Sequence, residues 1–111
     1  MKRYAAKADA NQPDVVKALR AIGAKVVPTH TMGQGFPDLV VTYAGRTLLI
    51  EVKDPTQPKH RHELTPAQKE FHAAWTGEIH IVFTPEEAVR IVKGISERAE
   101  TPLFEQQEQT V

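Results

Sequence analysis

Three charged residues have the types and the spacing of a site that acts on phosphate esters. Asp38 precedes an apolar run, and Glu51 and Lys53 lie at the end of a second apolar run. Clustered carboxylates hold a hard divalent cation such as Mg²⁺ through oxygen ligands, and a nearby ammonium group stabilises negative charge. The three residues are therefore the candidate site of a Mg²⁺-dependent reaction that cleaves phosphodiester bonds.

An expected β-hairpin brings these charges together. Two aliphatic runs of strand length lie within residues 39–52, separated by a Tyr-Ala-Gly-Arg turn. A turn symmetric about its central Ala-Gly pair places Asp38 opposite Glu51, and side-chain alternation puts Lys53 on the same face. Ala-Gly is not a favoured two-residue turn, so a three-residue loop that shifts the register by one is the alternative. Because opposed like charges destabilise a sheet, a cation is expected between Asp38 and Glu51.

The composition is that of one ordinary domain of α/β size. The chain has 111 residues, of which 41% are hydrophobic and 25% are charged. It contains no cysteine, which excludes disulfides and thiolate metal sites and favours an intracellular, cytoplasmic location. The basic start is followed by no apolar signal-peptide core, and no apolar run approaches membrane-spanning length. Neither secretion nor membrane insertion is expected.

The charge balance gives no global signature of nucleic-acid binding. Lys and Arg number 14, as do Asp and Glu, so the formal net charge is zero. This balance disfavours a protein that passively coats DNA, but an enzyme can keep its basic residues local. One local run, Lys59-His60-Arg61-His62, lies in a polar loop after Lys53. A solvated loop and a phosphate-contacting loop are about equally favoured interpretations of that run.

The remaining elements are predicted from helix caps and apolar periodicity. In chain order they are a helix from Asn11 to Gly23, a strand at 24–28, the hairpin, a helix opened by a capping box at 65–68 and a strand at 78–83. The last helix is opened by a similar cap at 84–87 and ends at Gly94 or a little beyond. This order predicts an α/β fold with a mixed central sheet flanked by helices. Residues 11–98 are expected to form the single domain, residues 1–10 a flexible N-terminus and residues 99–111 a disordered tail.

Two residues of these helices have a structural explanation before any functional one. Asp14 lies in the first turn of the first helix, where a carboxylate interacts favourably with the helix dipole. Gln68 closes the Thr-Pro-Ala-Gln capping box and satisfies a backbone N–H there. A functional role for either residue needs independent support.

The motif Pro37-Asp38, followed after a hairpin by Glu51-Val52-Lys53, resembles the PD-(D/E)XK nuclease superfamily. The wider context, Gly-Phe-Pro-Asp-Leu at 35–39 and Leu-Thr-Pro-Ala-Gln at 64–68, is similar to the small VRR-NUC branch often found in phage genomes. The resemblance covers residues 11–83. It implies a restriction-endonuclease-like α-β-β-β-α-β core and a divalent-metal-dependent endonuclease that hydrolyses phosphodiester bonds in DNA. Branched and flap structures are among the substrates it suggests.

The resemblance also implies a role for each motif residue. Asp38 and Glu51 would bind Mg²⁺ or Mn²⁺ together with the backbone carbonyl of Val52. Lys53 would orient or help activate the attacking water and stabilise charge at the phosphate. Gln68 matches the helix glutamine that accompanies the motif in this branch and contacts the site region.

Further implications concern the first helix and the partners. Asp14 matches an acidic residue, usually glutamate, that reaches the metal in VRR-NUC-like proteins. Because aspartate is one methylene shorter, direct coordination and a water-mediated contact both remain open. DNA is the expected partner, and the basic loop at 59–62 is the candidate contact with it. A homodimer would supply one site for each strand.

Two other interpretations of the chain are kept alongside the nuclease. The first is a non-catalytic nucleic-acid-binding or regulatory module on the same fold. The opposed acids argue against it, because a protein without the activity has no reason to hold them on one face. The second is a structural domain in which Glu51 and Lys53 form only a surface ion pair, worth at most about 1 kcal/mol.

Overall fold

The computed structural model describes residues 8–94. Its helices and strands follow the predicted order and comprise α1 (Gln12–Ala21), β1 (Lys25–Pro28), β2 (Leu39–Tyr43), β3 (Arg46–Val52), α2 (Pro66–Ala74), β4 (Glu78–Val82) and α3 (Pro85–Lys93). Two short 3₁₀ turns, His30–Met32 and Lys59–His62, occupy segments that the sequence predicts as loops. The predicted flexible N-terminus lies outside the described residues except for positions 8–10, and the predicted tail at 99–111 lies wholly outside them.

The four strands form one mixed sheet in the order β1-β2-β3-β4. β2 runs antiparallel to both β1 and β3, whereas β4 is parallel to β3. The parallel pair requires a crossover, which the segment containing α2 provides. The predicted mixed α/β sheet flanked by helices is therefore confirmed. None of the helices within residues 8–94 combines the length and the apolar character needed to cross a membrane.

The hairpin between β2 and β3 has the symmetric register predicted from the sequence. Tyr43 pairs with Arg46, so only Ala44 and Gly45 lie between the strands. Their φ angles are 51° and 82°, and a type I′ turn requires positive φ at both positions. Alanine accepts this left-handed conformation at a cost of about 1–2 kcal/mol. The three-residue loop is not adopted, although Ala-Gly is a disfavoured turn sequence.

One face of the sheet forms the hydrophobic core with α1 and α3. Buried aliphatic side chains alternate along the strands and recur on the two helices, and they include Val15, Leu19, Val26, Leu39, Val41, Leu48, Ile50, Val52, Val82, Ala88 and Val92. Because strand side chains alternate, Glu51 and Lys53 belong to the opposite face. α2 covers that face only in part, since none of its nine residues is buried. The candidate charges thus lie on the less covered side of the sheet.

Both predicted helix starts after the hairpin are confirmed. Thr65 accepts a hydrogen bond from the backbone N–H of Gln68, and the Gln68 side chain returns one to Thr65, which completes the capping box of α2. Thr84 likewise accepts from the backbone N–H of Glu87, and α3 ends at Gly94 with a left-handed φ of 80°. The first of these caps matters most for the site, because it fixes the position of Gln68.

Candidate active site

The end of the hairpin brings the predicted metal ligands together. The β2–β3 register pairs Leu39 with Ile50, and its next step places Asp38 across from Glu51. The backbone N–H of Val52 donates to Asp38 Oδ2 at 2.8 Å. The N–H and C=O of one strand residue point to the same side, so the Val52 carbonyl also faces Asp38. Two carboxylates and one backbone carbonyl therefore share this end of the sheet.

Gln68 connects the acid and the lysine of the motif. Its Nε2 donates to Glu51 Oε2 at 2.9 Å, and its Oε1 accepts from Lys53 Nζ at 3.1 Å. The same Oε1 accepts from the backbone N–H of Thr65 at 2.9 Å, as the capping box requires. The amide is thus held at both ends, and it fixes the spacing between Glu51 and Lys53. The capping bonds of Gln68 and its contacts with Glu51 and Lys53 occur in one conformation.

Glu51 is the most strongly perturbed group of the site. Its side chain is 3% exposed, and within the part of the chain that the structure describes its Oε1 has no hydrogen-bond partner. Burial and the negative charge of Asp38 raise the pKa of Glu51 to about 9. In the metal-free protein Glu51 therefore holds its proton more tightly than an ordinary glutamate does. A buried carboxyl oxygen without a partner, beside a second carboxylate, fits the requirement of a hard divalent cation for oxygen ligands.

The loop before β2 is tied to the end of β1 next to Asp38 and packs against the start of α2. Thr29 Oγ1 donates to the carbonyl of Pro37 at 2.8 Å, and the Thr29 N–H donates to the carbonyl of Asp38 at 2.6 Å. Gly35 has a φ of +80°, and a Cβ there would lie 2.6 Å from the carbonyl carbon of Ala67. Only glycine permits this approach. The loop glycine thus serves packing against α2.

Asn11 has a role that local sequence patterns do not predict. It occupies the predicted N-cap position of α1, but its side chain makes no capping hydrogen bond. Its Nδ2 instead donates to the carbonyls of Lys53 and Phe83, each at 3.0 Å. The Lys53 N–H donates to the carbonyl of Val82 at 2.9 Å. The backbone of Lys53 is therefore held on both sides.

Asp9 is the N-terminal acid that reaches the electrostatic neighbourhood of the cluster. Burial and the charge of Asp38 raise its pKa, while Lys53 and a hydrogen bond from the backbone N–H of Asp54 lower it. Asp14, by contrast, is exposed on α1 and takes no part in the hydrogen bonds of the cluster within residues 8–94. Metal coordination by Asp14 stays a prediction. Asp9 was missed because residues 1–10 were interpreted as loose; its place just before a helix N-cap was the available signal.

His72 is a second residue that the sequence did not single out. It lies on α2, four residues after Gln68, and is therefore on the same side of the helix. Burial and the charge of Lys53 lower the pKa of His72, and its Nε2 is buried with no partner among the described residues. The i, i+4 spacing from Gln68 was the only sequence signal for this placement.

The basic run after Lys53 divides into two parts. Lys59, His60 and Arg61 are exposed on a 3₁₀ turn and remain candidates for phosphate contact. His62 is half-buried, and its ring packs edge-on against Phe83 with centroids 5.1 Å apart. Within residues 8–94 no group of three or more His, Cys, Asp or Glu side chains is arranged to hold a metal. The candidate ligand set is therefore two carboxylates with a backbone carbonyl.

Comparison with known proteins identifies no relative. No family model matches the chain, and no similar protein is found among curated proteins or solved structures. The residues and contacts described above therefore carry the functional proposal.

Proposed function

We propose that the protein is a Mg²⁺- or Mn²⁺-dependent endonuclease with a restriction-endonuclease-like core that hydrolyses phosphodiester bonds in DNA. The observation that supports this most is the hydrogen-bonded set at the hairpin end. Gln68 joins buried Glu51 to buried Lys53, and Asp38 lies across the hairpin from Glu51. A protein that needed these residues only for stability would gain by pairing the acids with bases, since an unpartnered buried carboxyl oxygen is costly.

Each residue has a defined task in this proposal. Asp38, the Oε1 of Glu51 and the carbonyl of Val52 would hold the cation. A bound divalent cation neutralises the phosphodiester and lowers the pKa of a water molecule. Lys53 is 7% exposed, so its ammonium acts in a medium where it stabilises developing negative charge more strongly than in water. Gln68 orients both Glu51 and Lys53 without adding charge of its own.

DNA is the proposed substrate, with flap and four-way-junction forms as candidates alongside linear duplex. A domain of 111 residues offers little surface for gripping a duplex, so we also propose that it works as a homodimer. A two-fold dimer doubles the contact surface and supplies one site for each strand. Light scattering at the concentration of the cleavage assay tests the dimer. A monomeric mass there contradicts it.

The test of the function compares wild type with two variants of matched size. Wild-type protein should cleave at least one of linear, flap and junction DNA with Mg²⁺ or Mn²⁺, and EDTA should abolish the product. Glu51→Gln and Lys53→Met should each lose about 10³-fold in rate or more while remaining folded by circular dichroism. Lys25→Ala, an exposed change at the far end of β1, is the control and should cleave normally.

Two outcomes contradict the proposal. Undiminished cleavage in both variants rejects the assigned site. DNA binding that is indifferent to metal and yields no product with any substrate favours the alternative, a non-catalytic nucleic-acid-binding or regulatory module on the same fold.

A further inference from the structure

A groove lies between the outer side of α1 and the chain at the end of β1. Its volume is about 490 Å³, within the range of about 300–1,000 Å³ that is usual for small-molecule sites. Val16 and Pro28 contribute apolar walls, and Gln12 and His30 contribute polar groups. The groove therefore has the mixed lining of a site for a flat ring with a hydrogen-bonding edge.

Gln12 is a buried polar residue that is only partly satisfied. It is 4% exposed, and its Nε2 donates to His30 Nδ1 at 3.2 Å. An amide N–H can only donate, so in this contact His30 Nδ1 is the acceptor. The Oε1 of Gln12 is buried, and the described residues provide it with no partner. A ligand that donates a hydrogen bond to this oxygen would satisfy it.

The rim of the groove is positively charged in a chain whose net charge is zero. Lys17 and Arg20 both line it and are exposed on one side of α1, three residues apart. Arg20 NH2 donates to the carbonyl of Val26 at 3.1 Å, which holds the guanidinium at the rim. Of the described residues that line the groove, none is acidic. The rim therefore attracts an anion.

Backbone hydrogen bonds connect both walls of the groove to residues at or near the candidate active site. The N–H of Thr29, which precedes His30, donates to the carbonyl of Asp38 at 2.6 Å. On the other wall, the N–H of Gln12 donates to the carbonyl of Asp9 at 2.9 Å, and Asp9 interacts electrostatically with Asp38. Residues that flank both walls are therefore linked to Asp38, one of the candidate metal ligands.

We propose that the groove binds one nucleotide of the substrate strand, close to the phosphodiester bond that is cut. The flat base packs against Val16 and Pro28 with its polar edge at Gln12, and the phosphate contacts Lys17 and Arg20. The proposal rests on the proposed nuclease function for the source of the nucleotide. A free nucleoside monophosphate has the same chemistry, so the experiment includes both.

The first experiment measures binding with the full chain in EDTA, so that cleavage does not contribute. A short single-stranded DNA and each nucleoside monophosphate are titrated separately, and NMR follows the side-chain signals of Gln12 and His30. Saturable shifts of both residues are expected, at concentrations at least tenfold lower for the oligonucleotide. Shifts that are absent, or confined to the loop at 59–62, overturn the proposal. If a nucleoside monophosphate binds as tightly as the oligonucleotide, the bound nucleotide need not come from a DNA strand, and that part of the proposal is overturned.

The second experiment uses charge variants. Lys17→Ala and Arg20→Ala should each weaken oligonucleotide binding about 3- to 10-fold and lower the slope of log affinity against log salt by about 0.7. Arg20→Lys keeps the charge without the bidentate geometry and should retain most of the affinity. Lys93→Ala, an exposed change at the end of α3, is the control. Unchanged affinity and slope in both alanine variants overturn the proposal.

The two proposals fail in different ways. If the groove binds the oligonucleotide but the protein cleaves no DNA with Mg²⁺, the nuclease function is rejected and the nucleotide site is retained. The nucleotide site alone is rejected if Lys17→Ala and Arg20→Ala cleave DNA with a normal KM and the NMR signals of Gln12 and His30 do not shift.

Discussion

Strand β3 carries a cation at each end, and the two ends treat charge in opposite ways. At the turn end, Arg46 donates to Glu78 Oε2 at 2.6 Å and to the carbonyl of Val92 at 2.7 Å. At the open end, Lys53 donates to the neutral amide of Gln68 at 3.1 Å. Opposite charges neutralise each other at the turn end. At the open end two acids, Asp38 and Glu51, lie together, and an uncharged amide stands between Glu51 and Lys53.

Exposure follows the same division. The side chains of Arg46 and Glu78 are 35% and 38% exposed, so water screens their ion pair. Glu51 and Lys53 are 3% and 7% exposed, where charges interact more strongly. The turn end joins β3 to β4 and to the end of α3 at little electrostatic cost. The open end keeps two acids close together, one of them buried, which costs stability, and such an arrangement is expected at a site that binds a ligand.

The largest expected effect on the cleavage rate comes from replacing Lys53 with methionine, a neutral residue of similar length; the same replacement of Arg46 is the comparison. Lys53→Met should reduce the rate of DNA cleavage about 10³-fold, because the ammonium acts only at the open end. Arg46→Met should leave the rate within about twofold and lower the temperature of thermal unfolding, because the contacts with Glu78 and α3 are lost. Cleavage assays and calorimetry on both variants measure this. A cleavage defect in Arg46→Met equal to that of Lys53→Met would remove the distinction between the two ends.

The next effect separates the two roles of Gln68. Gln68→Leu removes both the capping bond and the contacts with Glu51 and Lys53, so cleavage should fall about 10- to 100-fold. Thr65→Ala removes the cap acceptor but keeps the amide, and should cost about 1 kcal/mol of stability with little loss of rate. Rates and denaturant midpoints of both variants test the prediction. An equal loss of rate in Thr65→Ala would mean that Gln68 acts only through the helix start.

The third prediction concerns pH in the metal-free protein. The pKa of Glu51 is raised from 4.5 to about 9, so the folded state binds a proton that the unfolded state has released between these values. Its contribution to stability is therefore fully present below the lower value and is lost as pH rises towards the upper one. In EDTA, Glu51→Gln should gain about 1–3 kcal/mol over wild type at pH 8 and almost nothing at pH 4. A gain independent of pH between 4 and 8 would contradict the buried proton.

Much of the site was predictable because its determinants are local. The hairpin register follows from the symmetry of a two-residue turn, and it places Asp38 opposite Glu51. The position of Gln68 follows from a capping box within four residues. Neither inference requires knowledge of how distant parts of the chain pack.

The residues that were missed act over long sequence separations. Asn11 bonds the carbonyls of Lys53 and Phe83, which are 42 and 72 positions away, and no local pattern distinguishes this role from an ordinary N-cap. Asp9 likewise depends on the packing of the α1 start against the end of β3. Tertiary packing decides which polar side chain near a helix start turns towards the sheet, so local propensities leave that choice open.

The smallest expected effect is a change in stability caused by substitutions in the turn, which should leave the cleavage rate unchanged. Ala44 has a φ of 51°, which asparagine tolerates better than alanine, and Asn-Gly is the preferred sequence of a type I′ turn. Ala44→Asn should therefore stabilise the fold by about 0.5–1 kcal/mol with an unchanged cleavage rate. Ala44→Val, a β-branched residue at the same exposed position, should destabilise it and serves as the matched control. Urea midpoints and cleavage rates of both variants decide the point. Because β3 carries the turn at one end and the charges at the other, a change in rate with Ala44→Asn would show that turn strain is transmitted along the strand.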